Sequence, residues 1–168
     1  MPPLRIVLIY PPPWKLDSPE QKPFPPQEGA PKEFRNGDID PDFLQLPYGL
    51  LSLAAQAIQA GHSVKVFNLA SWQWAHVERL IGAIDADIFG LSCFTANRRG
   101  VAFTADCIRK HHSDTYITVG GPHASALPLE MLHHHQSIDS IVIGEGEATF
   151  LELCSRLSNK IRPQAIPG

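Results

Sequence analysis

Tyr48-Gly-Leu-Leu-Ser-Leu-Ala-Ala-Gln-Ala-Ile-Gln-Ala60, followed at once by Gly61-His-Ser-Val-Lys-Val-Phe-Asn68, changes its hydrophobic period halfway. The first half spaces its apolar residues as one face of a helix, and Gly61 supplies a C-terminal stop. From Ser63 the pattern alternates with a period of two, as a strand does. A helix running straight into a strand is half of a βαβ unit. The other half stands upstream, where Leu4-Arg-Ile-Val-Leu-Ile-Tyr10 is a short β-branched apolar run. Such a run predicts a strand covered on both faces, as in a parallel sheet.

Downstream the alternation repeats. A helix is expected from a cap at Ser71 to about Ile84, a strand over Asp87-Ile-Phe-Gly-Leu-Ser92, and a helix from Asn97 to about His111. Thr115-Tyr-Ile-Thr-Val119 predicts the fourth strand, Gly120 to Pro128 a loop, and the residues through His134 a helix. Ile138-Asp-Ser-Ile-Val-Ile143 predicts the fifth strand, and a last helix reaches about Leu157. Strands alternating with helices imply a three-layer α/β domain with a five-stranded parallel sheet. Five such units favour the flavodoxin-like, Rossmann-type order 2-1-3-4-5.

Composition narrows the function classes. The chain has 168 residues, a formal net charge of −3, 43% hydrophobic and 18% charged residues. That suits one domain with a sizeable core and does not suit phosphate-dominated nucleic-acid binding. No apolar run is long enough to span a membrane. The start shows no signal-peptide cleavage pattern. Cys93, Cys107 and Cys154 form neither a CxxC pair nor an even disulfide set, so reduced, buried thiols and a cytoplasmic location are expected, with no protein metal site. Twelve of the 16 prolines lie in residues 1–47. Residues 11–47 are therefore expected to form a long Pro-rich loop. Residues 1–160 are expected to make one domain, with 161–168 beginning a linker to an absent C-terminal domain.

In an open α/β sheet, ligands bind beyond the carboxyl ends of the strands. The loops there are Pro11-Pro-Pro-Trp14, Asn68-Leu-Ala70, Ser92-Cys-Phe-Thr95, Gly120-Gly-Pro-His-Ala-Ser125 and Gly144-Glu-Gly-Glu147. Paired glycines let a ligand approach the backbone, and hydroxyls can donate or accept hydrogen bonds. Together they suggest a groove for a large, flat or elongated ligand, although each loop singly also reads as a tight turn. Known uses of the fold can be tested against them. A phosphoacceptor domain needs acidic residues where Tyr10-Pro11 and Ser92-Cys93 stand. A triple proline cannot supply the amides of a flavin phosphate loop. No G-x-x-x-x-G-K-[ST] exists, and the one near-match to G-x-G-x-x-G follows the wrong strand. His133-His-His135 cannot converge on one ion from consecutive helical positions, and surface histidines are expected. Trp72 and Trp74 are expected to pack on a helix face.

The combination of Pro11-Pro-Pro13, Leu46-Pro-Tyr-Gly-Leu-Leu-Ser-Leu-Ala-Ala55, Gly61-His-Ser-Val64, Asp87-Ile-Phe-Gly-Leu-Ser92 with Thr95, Val119-Gly-Gly-Pro-His-Ala-Ser125 and Gly144-Glu-Gly-Glu-Ala-Thr-Phe150 resembles the N-terminal cobalamin (vitamin B12)-binding domain of cobalamin-dependent radical SAM enzymes. The resemblance implies cobalamin as cofactor, its benzimidazole tail beside the sheet and its corrin across the strand ends. It implies contacts from Pro12, Ser92, Phe94, Thr95, Gly120, Gly121, His123, Ala124, Gly144, Glu145, Gly146 and Glu147. His123 reads equally well as a residue bonding within its own loop.

The D-x-H-x-x-G motif, which supplies a histidine to cobalt in other cobalamin proteins, is replaced here by Tyr10-Pro-Pro-Pro-Trp-Lys15. No protein imidazole is expected below cobalt, which leaves that face open or covered by loop 11–47, for instance by Trp14. The chain also lacks the C-x-x-x-C-x-x-C of a radical SAM [4Fe–4S] cluster, so it cannot cleave S-adenosylmethionine by itself. The resemblance implies that cluster, S-adenosylmethionine and a C-terminal radical SAM domain in a longer protein, with methyl transfer as its chemistry. A stand-alone small-ligand-binding or regulatory module of the same fold is the alternative.

Overall fold

The computed structural model describes residues 2–13, 46–161, 163 and 166. Most of the expected loop 11–47, including Trp14, lies outside the described residues, as does much of 161–168. The elements are β1 (Arg5–Tyr10), α1 (Tyr48–Gln59), β2 (Ser63–Asn68), α2 (Trp74–Ala83), β3 (Ile88–Ser92), α3 (Arg98–His111), β4 (Tyr116–Gly120), α4 (Pro122–Ala126), α5 (Pro128–His134), β5 (Ser140–Ile141) and α6 (Glu147–Ser158). The sheet is parallel throughout in the order β2-β1-β3-β4-β5.

Alternation along each strand builds two apolar layers. Val7 and Ile9 of β1, Phe89 and Leu91 of β3, and Ile117 and Val119 of β4 face α2, α3 and α5. Ile6, Leu8 and Ile88 face the other way, against Leu50, Ala54 and Ala57 of α1 and Phe150, Leu153 and Cys154 of α6. Burial on both sides explains why β1 reads as an unbroken apolar run.

The junction between α1 and β2 shows how the sequence sets local structure. Gly61 takes φ +91°, a left-handed conformation that side chains disfavour. Its N–H donates to the Ile58 carbonyl (2.9 Å) and the His62 N–H to the Ala57 carbonyl (3.0 Å). This paired arrangement satisfies the last free carbonyls of the helix. The turn delivers His62 into the interior, where its Nδ1 accepts the Leu4 N–H at 3.2 Å. One glycine thus ends α1 and ties the start of β1 to the start of β2.

Several boundaries differ from expectation. α2 begins at Trp74 rather than after Ser71. Asn68 Oδ1 accepts the Ala70 N–H (3.0 Å) and the Trp72 N–H bonds the Leu69 carbonyl (2.9 Å), so Ser71 is taken up in a preceding turn. The expected loop 120–128 contains the short helix α4, and both α4 and α5 start on a proline, the residue whose missing N–H costs nothing there. The β5 ladder is confined to Ser140–Ile141, although Val142 still donates to the Val119 carbonyl at 2.8 Å. Trp74 packs edge-on against Phe103 of α3, while Trp72 lies partly exposed before the helix. His133 and His134 are exposed, as expected. The cysteines are buried and form no disulfide with one another, and burial pushes the Cys93 and Cys154 thiols up to about 12. Among the described residues no helix is long and apolar enough to cross a membrane.

Burial, the larger cause, holds His62 below its ordinary pKa, and its Nδ1 can accept the Leu4 N–H only when unprotonated. A folded-state pKa below the unfolded value gives stability that is present above about pH 6.5 and is lost as pH falls through and below it. Urea unfolding at pH 7 and pH 5.5 should therefore show a loss at the lower pH. His62→Phe should flatten that part of the slope and cost about 1–3 kcal/mol at pH 7 by orphaning the Leu4 amide.

Candidate functional site

The face of the sheet under α1 and α6 loses its bulk towards the carboxyl ends of the strands. The register lines up Leu8, Gly90, Thr118 and Ser140 as one row, with Ser92 and Gly120 paired in the next. At the centre these positions carry hydrogen, a hydroxyl or a small β-branched group. The helices consequently close on the sheet only lower down, where Leu50, Ala54 and Phe150 meet Leu8 and Ile88. Above that contact a cleft of about 940 Å³ opens between α1 and α6.

Gly90 sets the depth of the cleft. A Cβ built there would lie 2.7 Å from Leu8 Cδ2. A glycine inside a buried strand costs stability and commonly marks a close approach by another group. Leu8, Gly90 and Thr118 form the floor, with Leu50, Leu53 and Phe150 on the walls. Thr118 is almost fully buried, and its hydroxyl accepts the Ser140 Oγ–H at 2.9 Å and lies 3.4 Å from the Ser140 carbonyl. The floor is therefore apolar apart from one occupied hydroxyl.

The mouth is more polar and is held by bonds between loops. Asn97, wholly buried, accepts the Phe94 N–H at Oδ1 (2.7 Å) and donates from Nδ2 to the Ser92 carbonyl (3.1 Å). It fixes the β3–α3 loop. Gly121 has φ +104°, and a Cβ there would lie 2.7 Å from the Cys93 carbonyl oxygen, so the two neighbouring loops touch backbone to backbone. The His123 N–H donates to that same oxygen at 3.1 Å. Ser125 Oγ accepts the Gly144 N–H (3.0 Å), which joins the β4 and β5 loops. Ser52 Oγ donates to Glu147 Oε1 (2.9 Å) and bridges α1 to the first turn of α6. Tyr10 and Phe94 lean together with ring centroids 5.9 Å apart, and Phe94 is 43% exposed at the rim.

Of the residues expected at the site, Ser92, Phe94, Gly120, Gly121, Gly144, Glu145, Gly146 and Glu147 all line this cleft. Thr95 and His123 stand together outside the lining, with Thr95 Oγ1 3.2 Å from His123 Nδ1, so the histidine pairs across loops rather than within its own. Ala124 is fully buried in the opposite apolar layer. Pro12 is buried against α3, where its carbonyl oxygen occupies the place a side chain at Gly100 would need.

Sequence reasoning did not single out Leu8, Gly90, Thr118, Tyr48, Leu53 or Asn97. The isolated glycine in an apolar strand was the available signal for the floor. Asn97 read only as a helix start.

A parallel α/β domain with a large, partly apolar cleft at the carboxyl ends of its strands is built as a ligand-binding domain. Residues 41–154 match the family described as the B12 binding domain, and the chain belongs to that family. It is 32% identical over 132 residues to the 2-(S-pantetheinyl)-carbapenam-3-carboxylate methyltransferase of Streptantibioticus cattleyicolor, covering 75% of this chain and 19% of that protein. It is 30% identical over 128 residues to the cobalamin-dependent radical SAM methyltransferase TokK of Streptomyces tokunonensis, again covering 75% and 19%. The hopanoid C-3 methylase of Methylococcus capsulatus is 28% identical over 129 residues, with 25% of its length covered. The chain thus spans about a fifth to a quarter of the length of these curated relatives.

Asn97→Ala should leave the Phe94 amide without its acceptor and free the loop that carries Ser92 and Phe94. A loss of about 1–3 kcal/mol in urea unfolding is expected. Hydrogen exchange at residues 92–97 should rise more than in the sheet.

Proposed function

We propose that the cleft between α1 and α6 is the seat of cobalamin, with the nucleotide tail over Gly90 and the corrin across the strand ends. The single observation that supports this reading most is the low floor of the cleft, where Gly90 carries no side chain and a Cβ would already crowd Leu8 Cδ2 at 2.7 Å. Its apolar walls suit an aromatic base, and its volume of about 940 Å³ suits an entire base-bearing tail. The mouth suits a corrin rim, which presents amide groups. Backbone N–H groups at Gly121, Glu145 and Gly146 would donate to amide carbonyls, and the Glu145 carboxylate and the second oxygen of Glu147 would accept from amide N–H groups. Ser92, Thr95 and Ser125 can do either. Phe94 offers an apolar face at the rim. His123 would act with Thr95, while Pro12 and Ala124 would shape the site from behind it.

Cobalamin supplies methyl-transfer chemistry at cobalt when bound, and the protein supplies position and environment. In this reading the chain belongs to a longer cobalamin-dependent radical SAM methyltransferase whose remainder carries the [4Fe–4S] cluster and S-adenosylmethionine. Two observations support that: the chain contains no C-x-x-x-C-x-x-C, and the matched relatives are several times longer. No histidine lines the cleft among the described residues, and the residues that follow β1 are the buried Pro11, Pro12 and Pro13. Both observations support a reading in which the cofactor is held without an imidazole ligand.

Incubation with hydroxocobalamin followed by gel filtration should give a red, near-stoichiometric complex. Gly90→Val should weaken uptake by about tenfold or more. Each CH₂-sized piece of the tail held out of its recess forfeits about 0.8 kcal/mol of burial, and about 1.4 kcal/mol is a factor of ten in affinity. The same variant should keep its affinity for cobinamide, which has no nucleotide tail. Equal uptake of cobalamin by both proteins would overturn the placement of the tail. Electron paramagnetic resonance of the Co(II) form should show no nitrogen coupling from a protein ligand, and strong coupling unaffected by isotopic labelling of the cofactor would refute the histidine-free reading.

A further inference from the structure

On the face of the sheet away from the cleft, α2 and α3 pack side by side. We propose that Glu78 of α2 with Cys107 and His111 of α3 forms a site for a divalent transition-metal ion of the zinc class.

Cys107 and His111 are four residues apart on one helix, so their side chains share a face. α2 brings Glu78 to that face, and donor atoms of the three side chains all lie within 4.8 Å of one another. The imidazole lies between the two helices. Its Nε2 is 3.8 Å from Glu78 Oε1, while its Nδ1 lies over Gly82, one turn beyond Glu78. A Cβ at residue 82 would approach Nδ1 to 3.3 Å. Glycine within a helix costs about 1 kcal/mol relative to alanine, and here the vacated space is filled by the histidine ring.

The chemistry of the donors selects the ion. A thiolate, an imidazole and a carboxylate form a mixed set suited to zinc, whereas calcium and magnesium take oxygen. Cys107 is 5% exposed at the back of the site, and the side chains of His111 and Glu78, 33% and 39% exposed, open it to solvent. That leaves room for a water as fourth ligand. Metal–ligand bonds of about 2.0–2.3 Å require the donors to close up, which rotation of the two outer side chains permits. The same carboxylate is held by Lys110, whose Nζ is 3.1 Å from Glu78 Oε1. The ammonium group competes with an ion for the charge of that carboxylate. On binding, the Cys107 thiol gives its proton to solvent and its sulfur lone pair to the metal.

The cobalamin-free chain should be titrated with zinc against a chromogenic chelator, and with cadmium while near-ultraviolet thiolate-to-metal absorption is followed. A single equivalent of each metal should bind. Cys107→Ser and His111→Gln should each weaken zinc binding by about tenfold or more. Lys110→Met, on the surface, should tighten it. A triple His133, His134 and His135→Gln variant should bind as the parent does, which separates this site from the histidine tract. Circular dichroism checks that each variant is folded. Absence of a thiolate band with cadmium, unchanged affinity in folded Cys107→Ser, or no gain in Lys110→Met would each overturn the proposal.

Discussion

A parallel sheet covered on both faces leaves no room for a ligand unless a strand gives up side chains. Here β3 does so at Gly90, over Leu8 and beside Thr118. The opening between the two helices goes with that omission. The α1 and α6 helices can close on the sheet where Ile6, Leu8 and Ile88 provide bulk, and they stand apart where Gly90, Ser92 and Gly120 do not. The hydrophobic effect holds the layers together at one end, and its local absence opens them at the other. The cleft is a built vacancy, kept open by packing below it.

The mouth is positioned by a different kind of interaction. Its loops are short and polar, and they are set by buried or backbone hydrogen bonds rather than by apolar area. Asn97 holds the β3 loop, the Cys93 carbonyl receives the β4 loop, and Ser125 catches the β5 loop. The last two links each run to the next strand along the sheet, so the three loops form a connected rim. Such links contribute little individually but are costly to leave half-made. The rim is therefore well ordered without being filled by side chains.

The architecture was largely legible because it rests on periodicity. The runs 4–10, 63–68 and 87–92 alternate or are uniformly apolar, and the strand order follows from the number of βα units. The loops were also legible as a class, since position at the carboxyl end of a parallel strand is enough to nominate Ser92, Gly120 and Glu145. The floor was not, because attention to loops passes over Gly90, whose role appears only when the register sets it against Leu8. Pro12 and Ala124 show the opposite failure of resolution. They stand beside cleft-lining residues in sequence, yet one faces α3 and the other the far apolar layer, and adjacency in the chain cannot say which way a residue turns. Ser71 was misread as a cap because the Asn68 side chain had already committed the backbone to a turn.

Cys93 immediately follows Ser92, so the strand's alternation turns its sulfur away from the cleft and into the α2–α3 layer. Burial pushes that thiol's pKa up to about 12, which favours the protonated form. A protonated, enclosed sulfur is a poor nucleophile. The thiol that stands next in the chain to a cleft-lining residue is thus chemically silent. The same backbone step that turns Ser92 towards the cleft turns the Cys93 sulfur away from it.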